Sequence, residues 1–148
     1  MARPSTKAVP KVGKPFIDID EMRERPSPHR YVHGGFEGTH TRFSFYFPPK
    51  ELYKGRFYQY LEGGAGGHEY MLQAQPWPFK VVFQDLGGYL VESNQGHFPD
   101  EGMGFANDYE LFNASAESAI YSKQLAEEMY GEAPHHGYVW GGSGGGSR

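Results

Sequence analysis

The chain has no cysteine among its 148 residues. That excludes a disulfide framework, a thiolate metal site and a cysteine nucleophile, and it leaves the redox compartment open. No run of about 18 apolar residues occurs, so no segment reads as a membrane-spanning helix. Positive charge is sparse and scattered: 14 Lys and Arg stand against 18 Asp and Glu, a formal net charge of −4. Without a dense basic patch, neither nucleic acid nor an anionic membrane surface is expected as the main partner. The opening residues, MARPSTKAVPKVGKPF, are basic and contain proline but lack the apolar stretch of a secretory signal. Localisation stays open, with the cytoplasm as the default reading. No internal repeat is visible, and no motif calls for a metal or an organic cofactor.

What is present is aromatic. Eleven Tyr, 11 Phe and 2 Trp argue for a buried core, and the length suits one ordinary domain. Residues 1–28 carry Pro4, Pro10, Pro15, Pro26 and Pro28 with little periodicity, and read as an extended or disordered arm. From residue 29 onward the pattern changes. RYVHGGFEG begins a β-rich stretch, and TRFSFYF at 41–47 alternates Phe43, Phe45 and Phe47 with Arg42, Ser44 and Tyr46, a period-2 strand. RFYQYLE at 56–62 reads as a further strand running into GGAGGHE, and FKVVFQDL at 79–86 as a short helix ended by Gly87 and Gly88. GYLVES at 88–93 has the continuous apolar character of a strand buried on both faces.

Residues 114–130, ASAESAIYSKQLAEEMY, are expected to be helical, with Asn113 as N-cap and Gly131 as the terminating glycine. Ala116, Ala119, Ile120, Ala126, Met129 and Tyr130 fall on its apolar stripe. HHGYVW at 135–140 then reads as a strand. Strand, helix, strand from Tyr89 onward allows a parallel pair. The fold class expected is α/β: antiparallel strands first, then a βαβ unit.

The chain closes on YVWGGSGGGSR. G-x-G-x-x-G fails there because its third glycine would fall on Ser147, and a phosphate-binding P-loop fails for want of a lysine. The tail does satisfy G-x-S-x-G, as Gly141-Gly142-Ser143-Gly144-Gly145. That spacing suits a serine held on a strained strand-to-helix turn, whose neighbours two residues away must be small. A second cluster, GGAGG at 63–67, follows the third strand. Such a loop lies where backbone N–H groups could meet a tetrahedral oxyanion. The other reading of the tail is a Gly/Ser linker on a non-catalytic, β-rich binding module or a dead hydrolase half.

GRFYQYLEGGAGG, GYLVESNQGH, FANDYELF and LAEEMYGEAPHHGYVWGGSGGG together resemble the α/β-hydrolase superfamily, and within it the tannase and feruloyl esterase family. The resemblance covers roughly residues 40–148 and is most specific around the serine. It implies Ser143 as nucleophile, Gly144 as one oxyanion donor, and the backbone of Gly64 and Ala65 as the other. It further implies a serine esterase acting on a small-molecule carboxylic ester through an acyl-enzyme. Members of that family typically place a cysteine directly before the serine. Here the position is Gly142, so the resemblance extends to the serine-hydrolase chemistry and not to a particular ester. The superfamily's triad runs Ser, then Asp or Glu, then His along the chain. All seven histidines precede Ser143. The acid and base are therefore expected beyond Arg148, and residues 29–148 read as the N-terminal portion of a hydrolase domain, with little activity alone.

Among other polar residues, His97 stands in the loop after the Tyr89 strand, at the sheet edge where open α/β folds bind ligands, and is a candidate pocket residue. Glu62 and Glu69 flank the glycine loop, and Glu62 is a candidate for the pocket entrance. His135 and His136 are adjacent on a strand and should point to opposite faces, which argues against a joint metal site. Asp85 and Glu92 are isolated carboxylates. Asp100, Glu101 and Asp108 lack the alternation of a calcium loop. Oligomeric state is not legible.

Overall fold

Alternation along the aromatic strands sets the architecture. The structure is a computed structural model that describes residues 13–101 and 108–147. Six strands form one mixed sheet: β1 (Pro15–Arg23), β2 (His29–Phe36), β3 (Arg42–Phe47), β4 (Arg56–Leu61), β5 (Gly88–Ser93) and β6 (His136–Gly141), in the spatial order β1-β2-β3-β5-β4-β6. The first three strands and β5 are mutually antiparallel neighbours, whereas β4 runs parallel to both β5 and β6. The sheet is mixed, as expected, but the parallel pairing is not where the sequence places it: β4, read with the antiparallel strands, is parallel to both neighbours, and β5 and β6 flank it instead of pairing with each other. Strand periodicity fixes which face a side chain takes but says nothing about lateral order.

Both faces of the sheet are covered. Phe43, Phe45 and Phe47 join Val32, Phe36, Phe57, Tyr89 and Val91 beneath Leu125, Ala126 and Tyr130 of helix α2 (Asp108–Tyr130). The rings of Phe43 and Phe45 stack with centroids 4.3 Å apart. On the opposite face, Tyr31, Tyr46 and Leu90 pack with Leu72, Phe79, Val82 and Phe83. The last three belong to α1 (Pro76–Lys80) and the π-helical stretch Val81–Asp85 that continues it, in which the Leu86 N–H donates to the Val81 carbonyl at 3.0 Å. This element occupies the place of the helix expected at 79–86. All six residues of β5 are buried, as its unbroken apolar pattern implies.

Three expectations require revision. First, of the arm expected over residues 1–28 as extended or disordered, Pro15–Arg23 is an extended strand built into the sheet. Pro15–Arg23 pairs with β2 along its length, with a bulge between Ile17 and Ile19, and the Arg30 guanidinium donates twice to the Asp20 carboxylate at 2.7 and 2.8 Å. A proline at the first position of an edge strand costs no ladder bond, so Pro15 is compatible with it. Residues 1–12 lie outside the described residues. Second, α2 begins at Asp108, so Asn113 is interior and not the N-cap. Third, the buried stripe of α2 is Ala114, Ser118, Ser122, Leu125, Ala126 and Tyr130, while Ala116 is exposed and Ile120 is 51% exposed.

Hydropathy misses this face because two of its members are serines. Ser118 Oγ donates to the Ala114 carbonyl and Ser122 Oγ to the Ala119 carbonyl, each at 2.7 Å, and Ser122 also meets Tyr89 Oη at 3.0 Å. Satisfied locally, a small hydroxyl is buried at little cost. Gly131, at φ +87°, donates to the Glu127 carbonyl and ends the helix as anticipated. Replacing Leu125 by Ala should cost about 2–5 kcal/mol of unfolding free energy. Replacing Ile120 by Ser should stay within about 0.5 kcal/mol. Urea unfolding of both variants distinguishes this face from the one hydropathy alone would choose.

Candidate active site

Parallel strands deliver the loops that follow them to the same edge of a sheet. Leu61 at the end of β4 is in register with Gly141 at the end of β6, and Tyr60 with Glu92 near the end of β5. The two glycine clusters therefore emerge side by side, and the turn after β5 emerges on the other flank of β4. Two residues past the end of β6, Ser143 adopts φ +52°, a left-handed conformation that non-glycine residues rarely take. A single turn of 3-10 helix, Ser143–Ser147, starts there, and the Gly145 N–H donates to the Gly142 carbonyl at 3.0 Å. Strand, left-handed serine and helical turn follow one another with only Gly142 between strand and serine.

Close approach explains the glycines that flank this serine. A methyl group on Gly144 would fall 2.2 Å from the Gly64 carbonyl oxygen, and one on Gly145 would fall 2.2 Å from the Leu61 carbonyl oxygen. Gly145 is buried; Ser143 itself is exposed. The backbone after Ser143 is thus seated on the backbone of the GGAGG loop, and only hydrogen in place of Cβ permits it. Gly142 is different. A Cβ there would meet nothing within 4 Å, so packing does not forbid a side chain at the position where the resembling family carries cysteine.

The loop at 62–68 is fastened from several sides. Glu62 turns its carboxylate onto its own loop, receiving the His68 backbone N–H at 3.2 Å and lying 2.9 Å from His68 Nδ1. Gln95 Nε2 donates to the Glu62 carbonyl at 3.0 Å. His97, only 2% exposed, has Nε2 2.7 Å from the Ala65 carbonyl oxygen. Of the six residues singled out from sequence, Gly144 and Gly64 meet through this backbone contact, directly after Ser143. Ala65, Glu62 and His97 belong to the loop or hold it. Gln95 and His68 carried no signal in the sequence, since a lone Gln or His in a loop has no spacing rule to betray it.

Other titratable groups lie elsewhere. His135 and His136 do not point apart: their Nδ1 atoms are 2.5 Å from each other, with ring planes at 87°. β6 begins only at His136, so strand alternation does not govern His135. His33 bridges Asp18 at 2.6 Å and Glu69 at 3.0 Å. Burial alone would lower its pKa, but hydrogen bonds to Glu69 and Asp18 outweigh this and raise it. Glu92, 1% exposed, accepts from Tyr46 Oη at 2.5 Å and from the Leu72 N–H at 3.2 Å. Burial pushes its carboxyl up to about 8, against the lowering effect of those donors. The acidic stretch from Asp100 to Asp108 runs through residues 102–107, outside the described residues, and nothing is added about it.

No protein-family model matches this chain, and no curated protein matches it in sequence. Solved structures do. An esterase from Aspergillus oryzae superposes with a TM-score of 0.65 at 17% identity, over 93% of this chain and 31% of that one. An acetyl xylan esterase from Thermoanaerobacterium gives 0.53 at 14% identity, over 90% of this chain and 46% of that one. A tannin acyl hydrolase from Aspergillus niger gives 0.51 at 17% identity, over 88% of this chain and 27% of that one. At such identities the likeness is one of fold: a mixed α/β sheet of the kind these esterases contain. The chain spans between about a quarter and a half of the length of the structures it matches.

Two measurements follow from this geometry. Gly144→Ala should loosen residues 63–67, read as faster amide exchange there, whereas Gly142→Ala should leave exchange unchanged. The second concerns Glu92. With its carboxyl raised from 4.5 to about 8 on folding, the native state keeps a proton that the unfolded state sheds across that window. Stability contributed by the neutral form is complete below about pH 4.5 and lost as pH rises through 8. Glu92→Gln keeps an acceptor for Tyr46 without ionising. Its urea midpoint should therefore fall less than the wild-type midpoint between pH 5 and pH 8, and equal falls would contradict a neutral buried Glu92.

Proposed function

We propose that this chain is the nucleophile-bearing part of a serine esterase of α/β-hydrolase type, acting on small-molecule carboxylic esters. The observation that carries the reading is the left-handed Ser143 at the end of β6, with the next residue packed onto the Gly64 backbone. A strained serine on a strand-to-helix turn, beside a glycine loop from the neighbouring parallel strand, is the arrangement that acyl transfer requires. A flexible linker has no cause to bury Gly145 or to seat Gly144 against another loop. The esterase fold of the structural neighbours and the resemblance to tannases and feruloyl esterases point the same way.

In this reading Ser143 Oγ attacks the ester carbonyl carbon while a general base takes its proton. The carbonyl oxygen becomes an oxyanion that accepts from the Gly144 N–H and from an N–H of Gly64 or Ala65. Collapse breaks the bond to the alcohol, which leaves with the proton returned by the base. Water, deprotonated in the same manner, then attacks the acyl-serine and releases the acid. The base and the acid that orients it are assigned to polypeptide following residue 148, in keeping with the superfamily's chain order.

The test uses the full-length gene product and an alkyl fluorophosphonate. Labelling should map to Ser143 and vanish in Ser143→Ala, with ester turnover falling at least about 1,000-fold. Equal labelling or equal turnover of the two proteins would overturn the assignment. Residues 1–148 expressed alone should label no faster than an ordinary surface serine.

A further inference from the structure

Glu62 and His68 tie the two ends of the glycine loop together, but the stretch between them is mostly glycine. Gly64, Gly66 and Gly67 all take positive φ, at +62°, +71° and +99°. Such a segment has many accessible conformations, and an oxyanion donor is useful only when it is fixed before the charge develops. Contacts from outside the loop add to that rigidity, and the turn after β5 supplies them.

The turn is itself tightly built. Asn94, fully buried, anchors it: Oδ1 accepts from the Arg42 N–H at 2.9 Å and the Gly96 N–H at 3.1 Å, and Nδ2 donates to the His40 carbonyl at 2.8 Å. Gln95 sits at φ +59°, buried and strained, with its N–H donating to Ser93 Oγ at 3.2 Å. From this base two side chains cross to the neighbouring loop. Gln95 Nε2 donates to the Glu62 carbonyl, and His97 Nε2 lies 2.7 Å from the Ala65 carbonyl. Nδ1 of His97 is 3.4 Å from its nearest acceptor, the Gln95 carbonyl, so the shorter contact assigns the ring proton to Nε2. At its far end the loop closes onto Pro99, whose backbone nitrogen lies 3.0 Å from a Cβ built on Gly67.

Resting on the reading of Ser143 given above, we propose that His97 is a positioning residue for the oxyanion loop, with Gln95 as its companion. The Nε2–H bond pins the Ala65–Gly66 peptide plane. Pinning that plane fixes ψ of Ala65 and, through it, the direction of the amides immediately before it. His97 neither attacks the ester nor carries the proton of the reaction. Its contribution is to hold a donor loop of glycines at the angle at which the Gly144 backbone meets it.

The experiment uses the full-length protein and three variants. His97→Leu removes the donor at similar volume, His97→Gln restores an N–H near the Nε2 position, and Ser143→Ala is the control. Ester turnover is measured as kcat and KM, and binding of an alkyl trifluoromethyl ketone reports the tetrahedral adduct. For His97→Leu, kcat and ketone affinity should fall together by about 10- to 100-fold with KM within about twofold, and His97→Gln should recover most of both. A thermal melt checks that each variant folds. If His97→Leu does not fold, His97→Asn takes its place, since its shorter amide falls short of Ala65 and should show the same loss. The proposal is overturned if kcat and ketone affinity stay within twofold of wild type, if KM carries the loss, or if Gln rescues nothing. Turnover retained by Ser143→Ala overturns the Ser143 reading itself, and the positioning role with it. An inactive Ser143→Ala beside a normal His97→Leu overturns the positioning role alone.

Discussion

The pairing of β4 with β6 is the constraint on which the rest of the site depends. Because the two strands run parallel with Leu61 opposite Gly141, their following loops leave the sheet at one edge and in contact. A slip of one residue would turn every side chain of β6 to the other face and carry Gly144 away from Gly64. The register is reinforced by ring pairs along the strands. Tyr58 stacks on Tyr138 at 4.8 Å and Tyr60 meets Trp140 at 5.3 Å. Such cross-strand aromatic pairs are worth about 0.2–1 kcal/mol each, and they favour this register over its neighbours. Local strain at Ser143 can then be borne, since the glycines around it are held by backbone that cannot retreat.

The sheet that provides this edge is rigid for a simple reason. It is buried on both faces by aromatic side chains, with β3 and β5 at its centre and helical elements on either side. Most polar groups enter that interior with partners; among the described residues His29 Nε2 and Tyr53 Oη are buried without one. Glu92 is held by Tyr46 and the Leu72 amide, Ser122 by Tyr89 and its own helix, and Asn94 by three backbone groups. In the proposed reading, a donor loop of four glycines and one alanine needs such a base, because its own conformational entropy works against it.

Much of this was legible in the sequence, and the reasons are local. Phe43, Phe45 and Phe47 alternate, Gly131 ends a helix, and GGAGG and GGSGG each follow a strand. All three are signals of near neighbours, and backbone geometry obeys them. What was not legible depends on distant residues. Pro15–Arg23 joins β2 through a backbone ladder, with Arg30 reaching Asp20 across it, and no periodicity in the arm announces this. The buried face of α2 escaped hydropathy because Ser118 and Ser122 satisfy themselves against the helix backbone. Insertion of β4 between β5 and β6, and the crossing of Gln95 and His97 to the glycine loop, are matters of lateral order. Only the assembled sheet decides them.

The central claim is that the two glycine clusters form one oxyanion site around Ser143. A crystal structure of the full-length protein inactivated by an alkyl phosphonate tests it most directly. The account predicts phosphorus bonded to Ser143 Oγ, with one phosphonyl oxygen about 2.7–3.1 Å from the Gly144 nitrogen and from the nitrogen of Gly64 or Ala65. An adduct on another residue, or a phosphonyl oxygen turned away from the 63–67 loop, would contradict it.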